Sequence, residues 1–371
     1  MYNPRCINII AYFNRQIIMK NYTKKNAVYS IAILLSVLSG CKQQEDNVIL
    51  NVDLKELQDI NIEDVSFNQV TLTDNGAPVL LTAASKMLFR GDEIIIQNRK
   101  AIESFNVNTG VKSCSYSNKG HAESEFTDIS DVWIQNGSLY LYDMNSKKIM
   151  QFASDGSYIQ SVPLSASADS CPFQCLARFG KNQYLGKRVF GIPGTKDLAV
   201  YDSGYKFIKD IGDLELTSGL KLGYPFFEYS KDEVLYYRFL RNEVYAIRSD
   251  CSVKVKYVID FGENNIPKNR TYEDEYEILD LVNSKQTYAT LVSNVYESKD
   301  VFIFRFLIEG HNCMGVYSKQ SKEIKAYKLC PPEDAVVLNV FFNDDKAFII
   351  YQDMEKTRLT VVPVNSLSKG F

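Results

Sequence analysis

Residues 128–164 read DISDVWIQNGSLYLYDMNSKKIMQFASDGSYIQSVPL. Ile129 to Gln135 is apolar enough for an inner strand and stops at Asn136-Gly137, a dipeptide suited to the two positive φ values of a type I′ hairpin turn. Leu139 to Tyr142 follows, then a turn at Asp143 to Ser146, Lys147 to Phe152, a turn at Asp155-Gly156, and Tyr158 to Leu164. Four β-rich runs joined by tight turns predict one four-stranded antiparallel sheet.

The same order recurs along the chain. Copy one is Met87–Phe89, Glu93–Gln97, Ile102–Asn106 and Val111–Tyr116. Copy three is Cys175–Phe179, Gln183–Lys187, Leu198–Tyr201 and Phe207–Ile211. Copy four is Phe226–Tyr229, Val234–Tyr237, Glu243–Ile247 and Val253–Phe261, and copy five is Leu291–Tyr296, Val301–Leu307, Cys313–Tyr317 and Ile324–Leu329. Copy six has Val337–Phe342, Ala347–Tyr351 and Leu359–Val364, one strand short. Most first strands are spaced by 42 to 51 residues. Four strands at that period predict an all-β, six-bladed β-propeller. Because such a ring must close, Val65–Leu72 is expected to supply the missing strand of copy six. The one long interval, Pro267 to Lys285, predicts a short inserted helix. Thr271 would cap it, and Ile278, Leu279 and Val282 would form its apolar face.

Ser117 to Phe126, SNKGHAESEF, runs directly into the second copy. This segment resembles the G-x-G-x-x-E-F stretch and following blade of six-bladed, TolB-like propeller lipoproteins from Bacteroidetes, and it is similar to NHL-type blades. Ala122 replaces the second glycine. The resemblance implies a propeller fold and a cell-envelope location, without a defined activity.

Ahead of the repeats, Lys20, Lys24 and Lys25 precede an apolar run from Ala27 to Leu38. Twelve residues of helix span about 18 Å, short of a hydrocarbon core of about 30 Å, so an export signal is the better reading than a membrane span. Leu38-Ser39-Gly40-Cys41 resembles a bacterial lipobox. The resemblance implies cleavage between Gly40 and Cys41 and a lipid anchor on Cys41 in the outer membrane, facing either the periplasm or the cell surface. Residues 1–18 precede a second possible start at Met19. The expected organisation is a signal over 1–40, a lipidated cysteine and polar tether over 41–52, and one propeller domain over 53–371. The KQQED run after Cys41 resembles the acidic export tag of surface lipoproteins.

All 45 acidic side chains lie after Cys41, whereas five of the 42 basic ones lie before it. Residues 41–371 therefore carry a net charge near −8, which argues against nucleic acid as a partner and against a polybasic grip on anionic lipid. The expected species is a monomer. Six cysteines, Cys114, Cys171, Cys175, Cys251, Cys313 and Cys330, permit disulfides in an oxidising compartment, with Cys171 and Cys175 the best placed for a local bridge. Free or buried thiols are the alternative. The chain has two histidines and no paired C-x-x-C, which disfavours structural zinc.

First strands line the bore of a propeller, so their polar residues are the candidate ligand contacts: Asp131, Arg178, Glu228, Asn294 and Asn339. Aromatics on or beside these strands, Trp133, Tyr224, Phe226, Phe227 and Tyr296, would either stack on a ligand or pack between blades. Two readings follow. One is a binding or scaffold module for a glycan, peptide or partner protein, needing no cofactor. The other is a calcium-dependent hydrolase or lactonase using Asp131, Glu228, Asn294 and Asn339 as oxygen ligands. No G-x-S-x-G, Walker A or H-E-x-x-H motif is present, and His121 and His311 fall outside the expected channel strands.

Overall fold

The computed structural model describes residues 47–364, except 66, 99–100, 117, 165–172, 189–195, 216–222, 231, 269, 271–274 and 284–287. Three short strands come first: β1 (Val48–Asn51), β2 (Gln58–Asn61) and β3 (Asn68–Thr71). A small hairpin, β4 (Thr73–Asp74) with β5 (Ala77–Pro78), leads into the repeats.

Blade 1 is β6 (Lys86–Arg90), β7 (Glu93–Gln97), β8 (Ile102–Asn106) and β9 (Lys112–Tyr116). Blade 2 is β10 (Asp131–Gln135), β11 (Ser138–Asp143), β12 (Lys148–Phe152) and β13 (Tyr158–Pro163). Its first turn is the one the sequence dictates: Asn136 and Gly137 sit at φ 51° and 78°, and Gln135 pairs with Ser138. Blade 3 is β14 (Phe173–Phe179), β15 (Gln183–Arg188), β16 (Lys196–Asp202) and β17 (Phe207–Glu215). Blade 4 is β18 (Phe226–Glu228), β19 (Glu233–Tyr237), β20 (Glu243–Arg248) and β21 (Val253–Asp260). Blade 5 is β22 (Thr290–Glu297), β23 (Val301–Ile308), β24 (His311–Ser318) and β25 (Ile324–Cys330). Blade 6 supplies β26 (Val336–Asn343), β27 (Lys346–Gln352) and β28 (Thr357–Pro363). Its fourth strand is β3, antiparallel to β28 from Asn68↔Val361 to Thr71↔Arg358. The all-β, six-bladed ring closed by an N-terminal strand is therefore what the chain forms.

Two N-terminal strands depart from expectation. β1 adds to the outer edge of blade 4, parallel to β21 (Val48↔Tyr257 to Asn51↔Asp260). β2 does the same on blade 5, parallel to β25 (Gln58↔Tyr327 to Asn61↔Cys330). The tether expected over 41–52 thus ends before Val48: Leu50 is 1% exposed and Val52 is 5% exposed, both in the core between blades 4 and 5. Apolar burial, which is worth about 1.5–3 kcal/mol for a side chain of this size, outweighs the polar character of the preceding residues.

The core lies between blades rather than at the centre. Each of six buried apolar clusters joins one neighbouring pair, from Val132 and Ile102 across blades 1 and 2 to Phe341 and Ile94 across blades 6 and 1. The inserted helix, α1 (Glu275–Asn283), stands between blades 4 and 5. Ile278 and Leu281 are its buried residues, and Leu279 is only partly covered. The expected cap Thr271 and the side chain of Val282 lie outside the described residues, as do Gly40 and Cys41. Among the described residues no helix is long and apolar enough to cross a membrane.

Candidate functional site

The inner strands bring every polar candidate onto an interface between blades. Asp131, at the head of β10, is 2% exposed. Its Oδ1 accepts from Lys86 Nζ of blade 1 at 2.8 Å and from its own neighbour Val132 N at 2.8 Å, and its Oδ2 accepts from Leu176 N of blade 3 at 2.8 Å. One carboxylate therefore ties three blades, and a charge so deeply buried requires such partners. Two residues further along β14, Glu228 of blade 4 accepts from Arg178 N at 2.8 Å and from Arg178 Nε at 2.9 Å. The Arg178 side chain remains 63% exposed at that mouth of the bore.

Asn294 and Asn339 meet across blades 5 and 6. Asn294 Nδ2 donates to Asn339 Oδ1 at 2.7 Å and to Val340 O at 2.6 Å. Asn339 Nδ2 continues to Ala84 O, just before blade 1, at 2.6 Å. Asn294 N donates to Tyr237 Oη of blade 4 at 2.8 Å. Asn294 stands in a left-handed conformation (φ 47°) where the β22 register shifts, a geometry that asparagine tolerates better than most residues. Together with the Asp131 and Glu228 bonds, these contacts cover all six interfaces of the ring.

Tyr224 crosses the bore. It precedes β18 in blade 4, its hydroxyl donates to Leu176 O of blade 3 at 2.6 Å, and its ring lies 3.4 Å from Lys86 Nζ of blade 1, the opposite blade. Tyr237 donates its hydroxyl to Tyr224 O. Burial, reinforced by the Asp131 and Glu228 charges, pushes the Tyr224 hydroxyl well above the usual phenol range, so it stays a neutral donor. A cation–π contact with an ammonium shielded from water adds to the hold on Lys86.

The other aromatic candidates pack between blades. Trp133 is 7% exposed and stacks on Tyr140 at 5.6 Å, with Tyr184 and Tyr205 at 6.4 Å and 6.0 Å. Phe226 joins the core between blades 3 and 4, and Phe227 lies edge-on to Tyr296 at 5.4 Å. Tyr296 in turn donates to Asp345 Oδ1 at 2.9 Å.

Lys86, Tyr237 and Arg305 were not anticipated from the sequence. Lys86 carried a signal, a charge opening an otherwise apolar strand, KMLF. Arg305, on the second strand of blade 5, is 9% exposed and donates to Asn312 Oδ1 at 2.7 Å and Ser293 Oγ at 3.1 Å. Burial brings its guanidinium down to about 10.

The four expected calcium ligands are divided among separate interfaces: Asp131 with blades 1 to 3, Glu228 with blades 3 and 4, and the two asparagines with blades 5 and 6. Among the described residues no three His, Cys, Asp or Glu side chains group as a metal site. His121 lies in the loop before blade 2, and His311 opens β24. Cys114, Cys251, Cys313 and Cys330 carry free thiols, and burial pushes the Cys313 thiol up to about 12. Cys175 is buried in β14, and Cys171 lies outside the described residues.

Residues 50–367 match a family described as a domain of unknown function, DUF4934. Among solved structures, the chain is similar to a protein described as exported from Bacteroides fragilis, with a TM-score of 0.63 and 14% identity over 82% of this chain and 88% of that one. It is also similar to a DUF4221 family member from Bacteroides vulgatus, with a TM-score of 0.55 and 11% identity over 81% of this chain and 96% of that one. At these identities the likeness is one of fold. A comparison with curated proteins finds no match.

Proposed function

The chain belongs to the DUF4934 family, and from that premise we propose that it is a lipid-anchored envelope propeller of TolB-like or NHL-like type. In this reading it works as a binding or scaffold module on a glycan, a peptide or a partner protein. The anchor is Cys41, and the location is the outer membrane of a Bacteroidetes cell. The lipobox-like Leu38 to Cys41 supports this, as does the fold shared with a Bacteroides protein described as exported.

One observation carries the binding reading. The polar groups of the bore are committed to neighbouring blades: Asp131 holds a lysine and two backbone N–H groups, Glu228 clasps Arg178, and Asn294 and Asn339 bridge three blades. Tyr224 also reaches across the opening to Lys86. A bore wired in this way serves as a structural axis, which leaves recognition to the two faces of the disc, where the turns vary freely.

The test is expression of the full chain in a Bacteroides host with an alkyne-bearing palmitate, beside Cys41→Ala. The expected result is label and detergent-dependent membrane extraction for the native chain, and neither for Cys41→Ala. An unlabelled native chain recovered in the soluble periplasm would overturn the anchor.

A further inference from the structure

Blades 6 and 1 meet at the seam where the ring is closed, and a groove of about 180 Å³ opens there. Its floor is aromatic: Phe89 of blade 1 and Phe348 of blade 6 lie with ring centroids 4.6 Å apart. Phe67, just before β3, stands at its edge and is 77% exposed. An exposed phenylalanine beside a concave aromatic floor has no role in the core.

The rim is polar and comes from hairpin turns of both blades. Asp92 and Asn108 belong to two turns of blade 1, Asp344 to the first turn of blade 6, and Lys346 to the start of β27 just after it. The side chains of Asp92, Asn108 and Lys346 make no hydrogen bond or ion pair among the described residues. Asn68, from the closing strand, completes the rim and reaches Val107 O only at 3.4 Å. Asp344 accepts from its neighbour Asn343 Nδ2 at 2.9 Å and Glu93 is held by Arg90, but the side chains of Asp92, Asn108 and Lys346 are left uncommitted at the groove, unlike the polar groups of the bore.

We infer that this seam groove is a saccharide site, taking one neutral, polyhydroxylated ring against the part-exposed Phe89, with the buried Phe348 tilted at 53° behind it. This rests on the binding reading above and names its ligand class. The chemistry selects that class in three ways. A pyranose is amphipathic across its plane, with C–H groups on a face for aromatic contact and hydroxyls around the edge for amides and carboxylates. The lining mixes three carboxylates (Asp92, Glu93 and Asp344, of which Glu93 is paired with Arg90) with one ammonium and three carboxamides (Asn68, Asn108 and Asn343), which disfavours an anion and gives a hydroxyl both donors and acceptors. The volume is below the roughly 300–1,000 Å³ of pockets for drug-sized ligands, so it suits a single ring at the end or side of a longer glycan.

Saturation-transfer NMR on the soluble domain, residues 42–371, tests this with the methyl glycosides of glucose, galactose, mannose and N-acetylglucosamine. At least one is expected to receive transfer. Asp92→Asn, Asn108→Ala and Phe67→Ala, all on exposed or rim positions, should each weaken it about fivefold or more, the loss of about one hydrogen bond or contact. Arg178→Ala, at the mouth of the bore, should leave it unchanged, and unaltered melting temperatures would show that the variants fold. Transfer that persists in the Asp92→Asn/Asn108→Ala pair, or that is lost in Arg178→Ala, would overturn the groove while the binding reading stands. Failure of all four glycosides, with a lysine-rich peptide binding at the groove instead, would overturn the saccharide class. Failure of both glycosides and peptide would overturn the groove, and the binding reading would then be judged on partner capture by the anchored chain.

Discussion

Asp131 is held by one ammonium and two backbone N–H groups, and the three do not contribute equally. Removing the lysine alone leaves a buried carboxylate without its counter-charge, which typically costs about 3–5 kcal/mol. Lys86→Met is therefore expected to lower unfolding free energy by that amount in urea denaturation, while Lys86→Met/Asp131→Asn recovers part of the loss because the amide keeps an acceptor for Leu176 N. Equal losses in the single and double variants would mean that the ion pair is not what binds blades 1 and 2. Asp143 makes a different prediction. Burial alone would raise it, but the N–H groups of Thr127 and Ser146 and their hydroxyls more than offset this and hold it below the ordinary carboxylate range. A depressed carboxyl stabilises the fold above its unfolded value and loses that contribution as pH falls toward the folded one. Glu233, which is also held down overall once Lys256 and Arg248 offset burial, has the same sign. Melting temperature should thus fall between about pH 5 and pH 3, and Asp143→Asn should make that fall shallower. The positions of Asp131 and the two asparagines on inner strands were legible in the sequence, since each interrupts an apolar run. Their partners were not. Lys86 is 45 residues from Asp131, and a sequence period places strands without saying which side chains meet across blades.

At the scale of elements, the repeats were legible because turn chemistry and strand period agree in every blade; Asn136-Gly137 alone fixes the first hairpin of blade 2. β1 and β2 were not, for a physical reason. Each has four residues, no turn to a partner, and a parallel pairing with a strand about 200 or more residues away, so nothing local distinguishes it from a polar linker. The one trace is Val48-Ile49-Leu50 amid polar neighbours. Leu50 is the anchor, packed among Tyr257 and Ile259 of blade 4 and Phe304 and Phe306 of blade 5. Leu50→Ala is expected to cost about 2–5 kcal/mol by chemical denaturation, the range for a large buried side chain cut to a methyl. Ile49→Ala, on the outward side at 58% exposed, should stay within about 0.5 kcal/mol. A Leu50→Ala loss as small as that of Ile49→Ala would show that β1 merely rests on the blade edge.

For the whole molecule, the ring makes stability depend on one seam. The four antiparallel strands of each of blades 1 to 5 are contiguous in the chain, but those of blade 6 join Asn68–Thr71 to Arg358–Val361, nearly the full length of the domain apart. The hydrogen bonds of β3 and the burial of Leu72, Leu359 and Val361 are therefore what convert a row of blades into a closed disc. Without β3, the outer edge of β28 is unpaired and exposes a template for association. Two truncations separate this role from that of the preceding strands. A chain beginning at Glu63 loses β1 and β2 but keeps the seam, and should fold as a less stable monomer. A chain beginning at Thr73 loses the seam as well, and should elute as aggregate or show no cooperative melt. A synthetic peptide covering residues 63–73, added during refolding, should then restore a monomeric, cooperatively melting species, because an extended segment can complete a sheet edge in trans through main-chain hydrogen bonds and alternate side-chain pockets. Size-exclusion chromatography with calorimetry reads both outcomes. A cooperative monomer without the peptide would mean that the inter-blade bonds of Asp131, Glu228, Asn294 and Asn339 suffice to hold the ring, and that the terminal strand only covers an edge.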